Sequence, residues 1–112
     1  YQTDQRLCEA AYGDWEGLTI DEIRREARPA FDAREKDRWH FAPPGGESLQ
    51  MAMERVLPVL EAVETKTIIV AHGAVGRTVR KVMLGLDETE AGQFVFRQDR
   101  IFRFEDGVEQ LI

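Results

Sequence analysis

Apolar residues fall along this chain in distinct rhythms, and each rhythm predicts a different element. After a loop-rich stretch from Arg6 to Gly17, Ile20, Ile23 and Ala27 share one helical face. Thr19 sits three residues before Glu22, the spacing of a reciprocal N-terminal cap, and Pro29 should end that helix. Phe31 to Arg38 is charged and compatible with more helix, whereas Phe41-Ala-Pro-Pro-Gly-Gly46 removes backbone donors and forces a loop. Beyond Ser48, a natural cap, Leu49, Ala52, Met53, Val56, Leu57, Leu60 and Val63 recur at three- and four-residue steps, predicting a helix with a wide apolar stripe and a kink at Pro58.

Thr67-Ile-Ile-Val-Ala71 breaks that rhythm: a short, largely β-branched run, it predicts a strand buried on both faces of a parallel sheet. Val75, Val79, Val82, Met83 and Leu86 then mark another helix, with Gly85 near its C-cap. Gln93 to Arg97 and Arg100 to Phe104 have strand composition, and Asp106-Gly107 is a turn signal before Val108 to Ile112, so an edge hairpin should close the chain. A doubly buried strand needs a hydrogen-bonding neighbour on each side and helices on both faces. The hairpin is expected to supply one neighbour, and the other is not found in the sequence. An upstream segment or a second chain is therefore expected to complete the sheet.

The 112 residues are 43% hydrophobic and 32% charged, which fits one ordinary globular domain spanning 1–112. No apolar run approaches the roughly 20 residues of a bilayer span and no leader-like segment opens the chain, so a cytoplasmic location is expected. The lone Cys8 allows no internal disulfide and has no metal-ligand spacing around it; no metal or cofactor is expected. A net charge of −6 argues against nucleic acid and anionic membranes as partners, and a phosphorylated substrate would need a local positive site. The opening residues, Tyr1 to Arg6, read like the middle of a protein, and a fragment is expected.

His72 follows the apolar run directly, and the Gly73-Ala74 turn leads into the next helix, so its imidazole should emerge at the carboxyl edge of a sheet. The amides of Gly73, Ala74 and Val75 would be free donors at a helix start, suited to a phosphate oxygen. A histidine that merely caps the turn is the competing reading.

Three stretches in order, Leu7-Cys-Glu-Ala-Ala-Tyr-Gly-Asp-Trp-Glu-Gly17, Trp39-His-Phe-Ala-Pro-Pro-Gly-Gly-Glu-Ser48 and Ile68-Ile-Val-Ala-His-Gly73, resemble segments of the histidine phosphatase superfamily, the phosphoglycerate-mutase-like proteins. The resemblance implies an α/β fold, a three-layer sandwich with a mostly parallel sheet flanked by helices, present here as an incomplete C-terminal portion. It leaves uncovered the family's opening third or more, with its Arg-His-Gly nucleophile.

Residue by residue, the resemblance makes His72 the second catalytic histidine, stabilising the transferring phosphoryl group, and Glu9 the general acid that protonates the leaving alcohol. Gly73 and Ala74 become substrate-binding backbone. Glu16 is the rival acid, preferred here as a residue that holds its loop through backbone hydrogen bonds. His40 is read as a loop or substrate-rim residue, and Arg77, one turn into the helix after His72, as solvated or ion-paired, with a place facing the site as the alternative. Ala10 and Ala11 stand where mutases tend to place arginine, which favours a phosphatase acting on a small phosphorylated substrate. A non-catalytic phospholigand-binding or interaction module and a mutase-type phosphotransferase are the alternatives, and the isolated chain is expected to show no turnover.

Overall fold

Thr19 Oγ1 accepts a hydrogen bond from the Glu22 amide at 3.1 Å while Glu22 Oε2 accepts from the Thr19 amide at 2.9 Å, so the reciprocal cap read from the sequence starts the first helix. A computed structural model describes residues 1–112. That helix, α1 (Ile20–Glu26), gives way at Ala27 to α2 (Arg28–Lys36), with Pro29 in its first turn, so the proline begins a second helix as well as ending the first. Next come α3 (Leu49–Glu61), which runs on through Pro58, and α4 (Gly73–Leu84), closed by Gly85 at φ 65°. A short α5 (Glu88–Gln93) and an antiparallel hairpin, β1 (Phe102–Glu105) with β2 (Val108–Leu111), complete the chain. No helix is long and apolar enough to cross a membrane.

The backbone of the first motif is stitched to that of the second. Asp14 N–H donates to the Pro44 carbonyl at 2.9 Å and Glu47 N–H to the Ala11 carbonyl at 2.8 Å. Such an approach leaves no room for side chains: a Cβ on Gly13 would lie 2.1 Å from the Pro44 oxygen, and one on Gly46 2.6 Å from the Ala11 oxygen. Beside the stitch, Trp15 stacks on Phe41 with ring centroids 5.2 Å apart and packs with Ile23 and Phe31, burying the inner faces of α1 and α2. Where α3 meets α4, the buried cluster consists of Ala10, Ala52 and Ala74. Three small side chains let these segments come close.

The parallel strand is not formed. Residues 67–71 are unpaired, Ile68 is 92% exposed and Val70 90%, and the sheet holds only β1 and β2. These 112 residues build an α/β arrangement of helices and a two-stranded hairpin, without the parallel sheet of the expected sandwich. The hairpin docks on α4 and does not flank 67–71: Arg80 pairs with Glu109 at 2.8 Å and stacks 3.9 Å over Phe94, and Phe94, Phe96 and Phe102 meet edge to face. Gly76 admits this cluster, since a Cβ there would lie 3.0 Å from the Phe96 ring.

The expected strand Gln93 to Arg97 is also absent. Asp87 caps α5 by accepting from Glu90 N–H at 2.8 Å, and Gln93 falls in that helix. The hairpin turn stands as read, with Asp106 at φ 52° and Gly107 at φ 73°, the two positive angles of a tight strand connection.

Gly13→Ala is expected to cost at least about 1–3 kcal/mol, because it strains a left-handed residue and drives a methyl group into the Pro44 carbonyl. A clear fall in the unfolding midpoint checks this; an unchanged midpoint would contradict the stitch.

Candidate active site

Helix α4 begins with amides that have no carbonyl partners inside the helix. The residue before it, His72, is extended (φ −116°, ψ 177°); its carbonyl accepts from Gly76 N–H at 2.8 Å, but its side chain makes no capping bond and is exposed. Glu9 does the capping instead. Its Oε2 accepts from Ala74 N–H at 3.2 Å, and its Oε1 accepts from Val75 N–H at 3.3 Å and from Ala10 N–H at 3.0 Å. The positive end of the helix and three amides thus hold one carboxylate. With Glu9 serving the helix, the imidazole of His72 is left for other chemistry.

The carboxylate of Glu9 thus sits on the first turn of the helix that His72 precedes. Two of the amides read as a phosphate cradle, those of Ala74 and Val75, are engaged by the chain's own anion; that of Gly73 is not among Glu9's partners. Glu16 lies elsewhere: its Oε1 accepts from Tyr12 N–H at 2.8 Å, the loop-holding role expected for it.

Beside this helix end is a small cavity of about 80 Å³, lined among others by Ala10, Tyr12, Arg34, Arg38, Ala74 and Arg77. Three arginines and one carboxylate, Glu47, line this cavity, a net positive lining on a chain of net charge −6. Arg34 and Arg38 share Glu35, at 2.6 and 2.8 Å. Arg77 differs, since its Nε donates to the neutral Phe94 carbonyl at 2.7 Å. Burial pulls the Arg77 guanidinium below its ordinary pKa, Tyr12 and Glu9 push it back up, and Arg34 and Arg38 add to the depression. A half-buried cation beside two others favours an incoming anion. The sequence reading took Arg77 for a solvated or ion-paired residue and is corrected here; its place five residues after His72, on the same helix face as Gly73 and Ala74, was the available signal. Tyr12, which also lines the cavity, is held above its ordinary pKa by burial first and by the Glu9 charge second.

His40 is not part of this group. Its Nδ1 lies 3.0 Å from Asp37 Oδ2 and its Nε2 3.5 Å from Glu88 Oε2, in a larger groove of about 310 Å³ between the end of α2 and α5. Three carboxylates, of Glu35, Asp37 and Glu88, line that groove together with Lys36 and Arg38. No group of three or more His, Cys, Asp or Glu side chains is placed to hold a metal ion.

Residues 1–106 match the family model described as Histidine phosphatase superfamily (branch 1). Among curated proteins, a 2,3-bisphosphoglycerate-dependent phosphoglycerate mutase of Beijerinckia indica is 38% identical over 90 residues, covering 74% of this chain and 44% of the mutase. A glucosyl-3-phosphoglycerate phosphatase of Mycolicibacterium vanbaalenii is 34% identical over 98 residues, covering 74% of this chain and 42% of the phosphatase. Among solved structures, mycobacterial glucosyl-3-phosphoglycerate phosphatase in complex with inorganic phosphate superposes with a TM-score of 0.67 at 30% identity, over 80% of this chain and 49% of that one. Bacillus stearothermophilus YhfR gives 0.74 at 28% identity, over 97% and 58%. The chain spans less than half the length of the two curated relatives.

A pH series tests the geometry around the loop that carries Glu9. Glu47 is held below its ordinary pKa of 4.5, chiefly by the Arg55 hydrogen bond and also by the Ala11 amide. A depressed native pKa adds stability that is complete above the unfolded value and is lost as pH falls through the native one. The stability advantage of wild type over Glu47→Gln is therefore expected to be constant near neutrality and to shrink on acidification below about pH 4.5. Denaturant unfolding at several pH values measures it; a pH-independent difference would contradict the assignment.

Proposed function

This chain belongs to the histidine phosphatase superfamily, branch 1, and from that premise we propose that it is the acid-bearing part of a phosphomonoester hydrolase working through a phosphohistidine. The observation that carries the proposal is the meeting of Glu9 with the helix end at His72, beside the cavity of Arg34, Arg38 and Arg77. In the proposed cycle a histidine outside residues 1–112 attacks phosphorus and the bond to the alcohol oxygen breaks. Glu9, a carboxylate on three amides in the free chain, takes up a proton from solvent as the substrate's negative charge arrives beside it and gives that proton to the alcohol oxygen, since an alkoxide is otherwise a poor leaving group. The Glu9 carboxylate then takes a proton from water as the water attacks the phosphohistidine, and inorganic phosphate departs.

His72 donates to the equatorial oxygens of the transferring group, where negative charge accumulates. The amides of Gly73 and Ala74 border the same phosphoryl site. Arg34, Arg38 and Arg77, with Tyr12, face the rest of the substrate, and their charge favours a phosphomonoester whose alcohol portion bears a second anionic group. The relatives' names fit that class, since a phosphoglycerate or glucosyl-3-phosphoglycerate carries such a group.

Completion of the active site requires polypeptide beyond these residues. The unpaired, apolar 67–71 run supports this reading: its free backbone edges and the exposed Ile68 and Val70 suit flanking strands from an upstream segment or a second chain.

In a polypeptide that also supplies the nucleophile, His72→Ala is expected to lower hydrolysis of a phosphomonoester by about two to three orders of magnitude, the usual loss for one transition-state donor. Steady-state kinetics measure the change, and wild-type rates would remove His72 from the mechanism. The 112 residues assayed alone are expected to show no turnover, because nucleophile and acid must converge on one phosphorus. Acid-labile phosphate on the isolated chain after mixing with substrate would place the chemistry elsewhere.

A further inference from the structure

Glu9 is held at α4 by its own carboxylate, but that grip works only if the backbone on either side of it stays in place. Two side chains of α3 and its approach grasp that backbone. Arg55, two turns into α3, sends NH1 to the Arg6 carbonyl at 2.6 Å, three residues before Glu9. Its Nε and NH2 meet Glu47 Oε2 and Oε1 at 2.9 and 3.1 Å, a bidentate pair. Glu47 Oε1 in turn accepts from Ala11 N–H at 3.0 Å, two residues after Glu9.

We propose that Glu47 and Arg55 are positioning residues for Glu9, closing a brace from the Arg6 carbonyl through Arg55 and Glu47 to the Ala11 amide that fixes the acid-bearing loop against α3. The inference rests on the reading of Glu9 as the acid, but its structural part is independent of any activity.

Charge and burial make the brace more than a surface ion pair. The two side chains are only 23% and 22% exposed, so the pair is screened less than an open one. Both ends also terminate on backbone, which a free pair would not order. The brace crosses the loop at two points, while the buried Ala10 between them packs on Ala52 and Ala74. A loop pinned on both flanks with its middle residue buried leaves Glu9 one direction, toward the first turn of α4. Nothing in the Glu9 contacts alone would keep the loop from peeling away from α3, because Glu9 touches α4.

Amide hydrogen exchange on the 112-residue chain tests this, comparing wild type, Arg55→Ala, Glu47→Gln and Glu9→Gln. Both brace variants are expected to accelerate exchange at Ala10, Ala74 and Val75 about tenfold or more, as Glu9→Gln does, with the α3 interior around Val56 unchanged. Glu47→Gln keeps the side chain's shape and serves if Arg55→Ala fails to fold. Unchanged exchange at the three amides, or a uniform rise across the protein, would overturn the proposal.

In the polypeptide that supplies the nucleophile, the brace variants should slow the single-turnover formation of phosphohistidine from an alkyl phosphate and leave its formation from 4-nitrophenyl phosphate unchanged, because only the first leaving group needs a proton. Equal losses on both would make the brace merely structural. If the local exchange pattern holds while neither substrate turns over in wild type, the brace stands and the phosphatase reading falls.

Discussion

A single carboxylate at the head of α4 organises this molecule. The first turn of any helix presents amides without partners, and a side chain, water or ligand must meet them. Here Glu9 meets two of them from a loop 65 residues away in sequence, at 3.2 and 3.3 Å. That contact ties the N-terminal loop to the helix that carries His72 and Arg77. It also lifts the capping task from His72, whose side chain is exposed at the helix end. The donors of this helix start are met by a carboxylate of the chain itself.

Packing around the contact follows from the same constraint. For Glu9 to reach α4, the loop must pass through the narrow junction of α3 and α4, and alanine is what fits there, at positions 10, 52 and 74. Glycine does the equivalent work where the two motif loops cross, at positions 13 and 46. Electrostatics complete the picture. An acidic chain brings three arginines, Arg34, Arg38 and Arg77, to one small cavity beside the head of α4.

Local physics wrote much of this in plain sequence. The Thr19 and Glu22 cap, the Ser48 cap, the apolar stripe of α3, Gly85 at the end of α4 and the Asp106-Gly107 turn each depend on a few adjacent residues, and each was legible. The meeting of Glu9 with the start of α4 was legible only through the resemblance of the motif stretches, because no rule of spacing links positions 9 and 74. What could not be read depended on distant packing. Residues 67–71 have the composition of a buried strand, but burial is a property of neighbours, and within this chain the hairpin spends its apolar face on Arg80, Phe94 and Phe96. Helix α5 was missed because aromatic residues after Gln93 drew attention from the Asp87 cap. Arg77 was misjudged because an arginine's partner, here a backbone carbonyl, is invisible in sequence.

The central claim is that the Glu9 carboxylate is seated on the first-turn amides of α4. NMR of wild type and Glu9→Ala, following the Ala74 and Val75 amide protons, tests it most directly. Both protons are expected to move upfield in the variant, because the hydrogen bonds they donate to the carboxylate are lost. Amide shifts equal to those of wild type would contradict the account.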